Sequence, residues 1–281
     1  MSLLAALLVV VLATVVIFIL PGWRRRRVLA RPFPAAWDAL LARRLEPYAG
    51  LTPGERRQLQ NLVRLFLANK SFHGCGGLDV TEEMRLCVAA QACLLLLNRD
   101  TPVFPGLQHI LVYPGAFVRE GEEWHEDGTV SDVSSELLGE SWDAGKVILS
   151  WEDVQRDLND FGDGFNVVLH EFAHQLDSET GSDNGTPLLG AVDSAAWGRV
   201  MTREYEALAT AAERGEDTLL DPYGASAPAE FFAVITETFF ELPDQLKELH
   251  PELFALLQHY YRVDPAAWYR TSGPDLSDQA R

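Results

Sequence analysis

The stretch that decides the fold runs from Phe165 to Asp177 and reads Phe-Asn-Val-Val-Leu-His-Glu-Phe-Ala-His-Gln-Leu-Asp. Its apolar residues recur at helical spacing, so it predicts a mostly apolar helix. His170 and His174 are four positions apart, which places both imidazoles on one face, one turn from each other. Two imidazoles in that arrangement can bind one Zn²⁺. Glu171, between them in sequence, can act as general base on the attacking water.

The same helix has a purely structural explanation, namely two hydrogen-bonded core histidines and a surface glutamate. With only 7 His in 281 residues, however, chance seldom produces this spacing. An apolar helix that carried His, Glu and His without a function would also bury several polar groups at a free-energy cost. We therefore interpret His170, Glu171 and His174 as a metal-binding and catalytic motif.

A third protein ligand has to come from another part of the chain. Thr180 stands six residues after the second His, where a third His could follow. Further along, Pro228 opens a predicted helix in which Glu230 falls in the first turn and Glu237 shares its face. The strongly apolar flanks of this segment argue against a solvated acidic surface. Glu230 is therefore the favoured third ligand, and Asp193 is held in reserve.

The charge of the chain excludes one class of partner. There are 41 Asp and Glu against 23 Lys and Arg, a formal net charge of -18 at pH 7. A direct nucleic-acid partner would need a basic face. Three cysteines cannot form a disulfide framework, which favours a reducing compartment. The 47% of hydrophobic residues excludes wholesale disorder.

The N-terminal segment differs from the rest of the chain. Leu3 to Leu20 is an 18-residue run whose only polar member is Thr14. At about 1.5 Å per residue it reaches roughly 27 Å, close to the thickness of the hydrocarbon core of a bilayer. Trp23 and the basic run Arg24–Arg27 follow as interfacial anchors, and the positive-inside rule then places the later residues in the cytoplasm.

We therefore expect a single-pass protein of the cytoplasmic membrane, held in the lipid bilayer by Leu3–Leu20, with its catalytic domain in the cytoplasm. A cleaved signal peptide would need a basic residue before the apolar run and a small-residue cleavage site. A buried core helix is a third alternative, but the run is too long and too uniformly apolar to favour it.

Five runs of sequence, one of them the His170 segment, belong together as a set. They are Cys75-Gly-Gly-Leu-Asp-Val-Thr-Glu-Glu-Met-Arg, Ala89-Ala-Gln-Ala-Cys-Leu, Val112-Tyr-Pro-Gly-Ala-Phe, His170-Glu-Phe-Ala-His-Gln-Leu-Asp, and Asp221-Pro-Tyr-Gly-Ala with the Ala-Glu-Phe-Phe-Ala that follows. As a set, over residues 37–268, they resemble the Mlc titration factor A family of zinc-dependent peptidases. The catalytic half of that family is similar to the C-terminal domain of anthrax lethal factor.

The resemblance implies a gluzincin, in which two His from one helix and a distant Glu hold one Zn²⁺. On this chain those ligands are His170, His174 and Glu230. Glu171 is then the general base, and Tyr223 is the hydrogen-bond donor to the transition state. The resemblance also implies a zincin-type fold, an aminopeptidase activity, and a glucose-responsive transcriptional regulator as partner.

The pattern along the chain is helices, a small sheet, then helices, which is typical of a mostly helical α+β domain. Thr52 with Glu55, and later Thr81, predict two helix starts. Ile110–Tyr113 and Lys146–Ser150 predict strands. The expected parts are an anchor with its basic flank at 1–27, a linker at 28–36, a zinc metallopeptidase domain at 37–270 and a polar tail at 271–281.

Carboxylates next to the metal ligands should hold each imidazole in the tautomer that binds metal. Glu237 and Asp177 are the two candidates. Asp177 has a second explanation, because an Asp near the end of a helix can equally begin the loop 178–190.

Two functions of different classes fit this sequence. The first is a membrane-anchored zinc peptidase that cleaves a peptide or protein substrate, as an exopeptidase or an endopeptidase. The second is a non-catalytic acidic protein that sequesters a transcriptional regulator and keeps a structural or vestigial metal site. Glu171 favours the first, because a structural site needs no base and prefers a closed shell of four protein ligands.

Overall fold

Helices dominate the structure, a computed structural model that describes residues 20–115, 122–124, 130–132, 145–182, 184–190 and 192–270. The helices are α1 (Leu20–Leu29), α2 (Ala35–Arg44), α3 (Pro47–Gly50), α4 (Pro53–Asn69), α5 (Glu82–Leu94), α6 (Trp151–Asn159), α7 (Val167–Asp177), α8 (Ser194–Arg214), α9 (Pro228–Glu241), α10 (Pro243–Leu249), α11 (Pro251–Tyr261) and α12 (Ala266–Arg270). The strands are β1 (Ser71–Gly74), β2 (His109–Tyr113), β3 (Glu122–Trp124), β4 (Val130–Asp132) and β5 (Lys146–Ser150). This mostly helical architecture with a small sheet confirms the predicted α+β class.

Three parallel strands form the main sheet in the order β1–β2–β5. His109 of β2 lies between Ser71 on one side and Lys146 on the other. Parallel neighbours need a crossover, and α5 lies in the connection from β1 to β2. β3 and β4 pair antiparallel as a separate two-stranded sheet. Both predicted strands are confirmed, while β1, β3 and β4 are additional.

Two helices begin where the sequence predicts. Thr52 accepts a hydrogen bond from the Glu55 backbone N–H at 3.3 Å, and the Glu55 carboxylate accepts from the Thr52 backbone N–H at 2.9 Å. Thr81 accepts from the Met84 backbone N–H at 3.2 Å at the start of α5. Such caps satisfy N–H groups that have no partner within the helix. They fix where α4 and α5 begin.

The core is built around α7, which packs against α9, α5 and β5. Phe172 of α7 is fully buried, and its ring centroid lies 5.7 Å from that of Phe66 and 4.8 Å from that of Phe104. Burying one such side chain stabilises the fold by about 1.5–3 kcal/mol. The opposite face of α7, which carries His170 and His174, is only half-buried. Packing on one face therefore sets the direction in which the imidazoles point.

The N-terminal apolar run lies outside the described residues, except for Leu20. The described part of the chain starts within α1, whose described residues pack along α4. Within the part of the chain that the structure describes, none of the helices combines the length and the apolar character needed to cross a bilayer. The transmembrane anchor therefore stays a prediction from the sequence.

Candidate metal centre

The start of α7 is held by two side chains, one from the residue directly before the helix and one from α6. Asn166 caps the helix, with its Oδ1 accepting from the Leu169 backbone N–H at 3.0 Å. The next free N–H, that of Val167, donates to Oδ2 of buried Asp157 in α6 at 2.8 Å. Because the first turn of a helix has no internal acceptors for these groups, the two contacts fix its position. The two histidines one turn further on are fixed with it.

The two imidazoles and Glu230 meet at one point. Nε2 of His170 lies 3.2 Å from Nε2 of His174 and 3.1 Å from Oε2 of Glu230. Nε2 of His174 lies 3.4 Å from the same Glu230 oxygen. A tetrahedral zinc site with bonds of about 2.0–2.1 Å places its ligand atoms about 3.3 Å apart. The spacing of these three donor atoms therefore fits a single zinc ion.

Glu237 contacts the other nitrogen of His170. Its Oε1 lies 2.7 Å from His170 Nδ1, while its Oε2 accepts from the Asn166 backbone N–H at 2.5 Å. A carboxylate only accepts, so Nδ1 donates, and Nε2 is directed toward His174 and Glu230. The buried carboxylate on one side of the ring thus fixes the tautomer that can bind metal on the other.

The cluster has a strong electrostatic bias. Burial lowers the pKa of His170, but its hydrogen bonds with Glu230 and Glu237 outweigh that effect and raise the pKa to about 10. Hydrogen bonds from His170 and His174 in turn lower the pKa of Glu230 to about 2. Burial raises the pKa of Glu237, and its hydrogen bond with His170 opposes that shift. The carboxylates thus favour a cation between them, and a metal ion would compete with a proton for Nε2.

Glu171 and Tyr223 lie beside this cluster. The ring centroid of Tyr223 is 6.2 Å from that of His170, and the Tyr223 side chain is 57% exposed. Burial, then the charges of Glu230 and Glu171, raise the pKa of Tyr223, so its hydroxyl stays a proton donor at neutral pH. The charge of Glu171 also raises the pKa of His170. A carboxylate and a protonated phenol hydroxyl therefore lie beside the two histidines and Glu230.

Tyr223 is held by a short 3₁₀ turn, Pro222–Ala225, just before α9. Asp221 caps this turn, because its carboxylate accepts from the Tyr223 backbone N–H at 2.7 Å. The turn packs against α9, the helix that carries Glu230. One local motif therefore positions Tyr223 relative to Glu230.

Asp177 contacts the loop that follows α7, and its expected role beside His174 stays a prediction. Asp177 is fully buried at the end of α7, and its Oδ2 accepts from the Gly185 backbone N–H at 2.6 Å. Gly185 itself lies against the backbone of Pro228, at the start of α9. Asp177 thus ties the loop 178–190 to both helices of the metal centre. Asp193, the reserve ligand, is exposed and caps α8 through the Ala195 backbone N–H at 2.9 Å.

Sequence reasoning missed a buried polar group beneath the histidines. The Asn166 side-chain amide donates at 2.9 Å both to Gln91 of α5 and to Glu241 of α9. The second oxygen of Glu241 accepts from the Gly164 backbone N–H at 3.1 Å. Burial raises the pKa of Glu241 to about 9. The one signal in the sequence is that Gln91 lies within an apolar run of α5 and that Glu241 directly follows Phe239 and Phe240 at the end of α9.

A comparison with known protein families shows which family the chain belongs to. The family model described as glucose-regulated metallo-peptidase M90 matches residues 20–262, which include every residue of the metal centre. The chain belongs to this M90 family. Family membership and the His–His–Glu cluster together indicate a metallopeptidase with a metal-ion site.

Curated relatives cover most of the chain. An uncharacterised protein of Synechocystis is 43% identical over 245 residues, 86% of this chain and 89% of its own length. Mlc titration factor A of Pectobacterium atrosepticum is 37% identical over 235 residues, 82% of this chain and 87% of its own length. Mlc titration factor A of Yersinia pestis is 31% identical over 260 residues, 91% and 94% of the two chains. The resemblance seen in the sequence motifs is thereby confirmed.

Proposed function

We propose that this M90 family member is a zinc-dependent peptidase in which His170, His174 and Glu230 hold one Zn²⁺. The observation that carries the proposal is the spacing of 3.1–3.4 Å among the three donor atoms, with the far nitrogen of His170 already bonded to Glu237. Two nitrogens and one carboxylate oxygen are donors that suit zinc, and three protein ligands are typical of a catalytic site.

The residues around the cluster have distinct roles in hydrolysis. Zn²⁺, when bound, supplies Lewis acidity that lowers the pKa of water to about 7 and polarises a carbonyl. Glu171 takes a proton from the water whose oxygen attacks the peptide carbonyl carbon. When the carbon–nitrogen bond breaks, Glu171 passes that proton to the leaving amine. The Tyr223 hydroxyl donates to the developing oxyanion, a contribution of about 2.7–4 kcal/mol in comparable sites.

The neighbouring strand supports a peptide as substrate. β5 is an edge of the sheet in the described part of the chain, and it packs beside α7. An extended peptide can add to such an edge through main-chain hydrogen bonds. The acidic composition of the chain favours a basic segment or a free amine in the substrate. These features support an aminopeptidase as the finer form of the proposal.

The decisive experiment compares the wild-type chain with Glu171→Gln. Bound zinc is measured together with cleavage of aminoacyl-amide and peptide substrates. We expect the variant to retain zinc and to lose activity by about 10²–10⁴-fold, the usual contribution of general acid–base catalysis. Glu206→Gln, an exposed residue of α8, is the matched control and should keep full activity. Equal cleavage by wild type and Glu171→Gln would refute the catalytic role.

The N-terminal run is proposed as a membrane anchor for this enzyme. Leu3–Leu20 would form one span, and Arg24–Arg27 would stay on the cytoplasmic side with the catalytic domain. A reporter that is active only in the cytoplasm should be active when it is fused after Arg281. A reporter that is active only outside the cytoplasm would overturn this orientation.

The relatives' name supports a second candidate function. Several relatives carry the name Mlc titration factor A. That name and the net charge of -18 fit an acidic protein that binds a transcriptional regulator. Such binding is compatible with catalysis. A regulator that binds wild type and Glu171→Gln equally, with no cleavage of any peptide by wild type, would favour this function over the peptidase.

A further inference from the structure

A cleft away from the metal centre combines basic and apolar side chains. It lies between α1, the segment that follows it, and the facing parts of α4 and α5, and its volume is about 780 Å³. The arginines that line it come from three separate parts of the chain: Arg24, Arg27, Arg31, Arg64 and Arg85. In a chain whose net charge is -18, this is a local concentration of positive charge.

The rest of the lining is apolar except for one acidic residue, Glu82, so the five arginines leave the cleft with an excess of positive charge. Trp37, Leu67 and Val80 lie among the arginines, and so do Leu20 and Trp23 of α1. Leu20 is 41% exposed and Trp23 is 54% exposed. Since Leu20 is also the last residue of the N-terminal apolar run, the cleft begins where that run ends.

The arginines of the cleft are oriented by contacts within the chain. Arg64 donates to the backbone carbonyls of Leu29 and Arg31 and to Oδ1 of Asn61, which ties the end of α1 and the residues after it to α4. Arg85 lies over the ring of Phe72 at 5.5 Å, and Arg27 lies over the ring of Trp23 at 5.3 Å. A contact with a ring does not use a hydrogen-bond acceptor, so the guanidinium N–H groups of Arg27 and Arg85 can still donate to an anion.

We propose that this cleft binds an anionic phospholipid, with the phosphate on the arginines and the start of an acyl chain against the apolar lining. The planar guanidinium fork matches a phosphate group and binds it through paired hydrogen bonds. A volume of about 780 Å³ is within the usual range for a ligand site. The apolar lining distinguishes a lipid from a free phosphate or an acidic peptide.

A bound lipid would fix the position of the catalytic domain at the membrane surface. The domain is strongly acidic, so an anionic leaflet repels most of its surface. A lipid held between α1 and α4 would attach the domain to the leaflet at one defined place. This inference goes beyond the peptidase activity and rests on the proposed anchor only for bringing the cleft to the headgroup layer.

The test counts lipids bound to the full chain in detergent micelles by native mass spectrometry. Phosphatidylglycerol, phosphatidylcholine and inorganic phosphate are titrated separately. We expect phosphatidylglycerol to be retained as one adduct, and the other two to be retained at least about tenfold less, because binding needs both an anionic phosphate and acyl chains. Equal retention of phosphatidylglycerol and phosphatidylcholine would overturn the proposal, as would retention of inorganic phosphate alone.

Two variants locate the lipid. Arg64→Gln with Arg85→Gln removes two cleft arginines, while Ala68→Trp fills the cleft at an exposed position of its lining and changes no charge. Both should lose the adduct at least about tenfold. Arg25→Gln with Arg26→Gln is the control, since these exposed residues of α1 lie outside the lining and the change removes the same charge.

The outcomes separate the cleft from the anchor. If the control loses the adduct as much as the cleft variants, general attraction to the basic run explains the binding and the cleft proposal is wrong. A dimer in place of the adduct would assign the cleft to a second copy of the chain. Carbonate extraction tests the anchor independently. A chain that stays in the membrane without an adduct refutes the cleft, and a chain that is extracted but keeps its adduct refutes only the anchor.

Discussion

At the scale of single residues, the two nitrogens of His170 have different partners. Nδ1 contacts buried Glu237 at 2.7 Å, and Nε2 faces Glu230 at 3.1 Å. Removing the charge of Glu237 should make the imidazole a poorer ligand and loosen its orientation. We expect Glu237→Gln to weaken zinc affinity about 10–100-fold, measured by competition with a chelator. Glu248→Gln, at an exposed position of α10 without a described contact to His170, is the control, and an equal loss there would contradict the prediction.

Tyr223 should act on the transition state rather than on metal binding. Partial burial and the charges of Glu230 and Glu171 raise the pKa of its hydroxyl above the ordinary value, and its ring lies beside His170. Tyr223→Phe should lower kcat about 10²–10³-fold, leave KM nearly unchanged and retain zinc. Steady-state kinetics and a metal assay check this. A large rise in KM at constant kcat would instead assign Tyr223 to substrate binding.

Sequence reasoning could predict the residues that follow helical spacing, and it missed those that depend on helix crossings. His170 and His174 share a face because they are one turn apart, whatever packs around them. Gln91 and Glu241 reach Asn166 only because α5 and α9 both pack against α7. That crossing is a property of the folded chain. A polar residue within or next to an apolar run indicates a buried contact but does not identify its partner.

At the scale of elements, the loop 178–190 connects the two helices of the metal centre. Gly185 has a φ of +73°, and an added Cβ would lie 2.3 Å from the Pro228 carbonyl oxygen at the start of α9. Gly185→Ala should therefore both strain the loop and displace α9, with lower thermal stability and weaker zinc binding. Gly181→Ala is the matched control, because Gly181 has a φ of +85° and open space around it. It should lose about 1–2 kcal/mol of stability and keep its zinc affinity.

Asp157, which binds the start of α7, should make the free energy of unfolding depend on pH. Burial raises the pKa of Asp157 to about 6, whereas an Asp in an unfolded chain titrates near about 3.9. Between about pH 4 and 6 the folded protein keeps a proton that the unfolded chain has released. The contribution of the protonated Asp157 carboxyl to the free energy of unfolding is therefore complete below about pH 4 and is lost as the pH rises through 6.

The corresponding variant is Asp157→Asn, whose amide oxygen can still accept from the Val167 backbone N–H. We expect it to be more stable than wild type at pH 7, with the difference vanishing toward pH 4, in denaturant unfolding at a series of pH values. Asp160→Asn, an exposed neighbour, removes the same charge without the Val167 contact. A constant difference between Asp157→Asn and wild type across this range would contradict the prediction.

The sheet shows which strands can be predicted from their own residues and which cannot. β2 and β5 alternate buried and half-buried residues, which the sequence displays as apolar runs. β1 contains one large apolar residue, Phe72, and is half-buried only there. Its strand conformation follows from pairing with β2, a contact between segments 38 positions apart at Ser71 and His109. Short strands of this kind are set by their neighbour rather than by their own residues.

At the scale of the whole molecule, a metal ion in this centre would cross-link α7 to α9. His170 and His174 belong to one helix and Glu230 to the other, so bound zinc should stabilise the folded chain against unfolding. At a free zinc concentration about 100-fold above Kd, the gain is about 2.7 kcal/mol, which corresponds to a rise in Tm of several degrees. Chelation should reverse that rise. Scanning calorimetry of the full chain with zinc and with chelator measures both values.

Two variants show whether the stabilisation comes from this centre. His174→Ala removes one ligand and should abolish the difference in Tm between zinc and chelator. His259→Ala, an exposed histidine of α11, should keep that difference and controls for loss of a surface imidazole. If His174→Ala responds to zinc as strongly as wild type, the ion stabilises the chain from another place, and the link between α7 and α9 through zinc is wrong. The linkage is independent of peptidase activity, so it tests the metal centre even for a chain that cleaves no substrate.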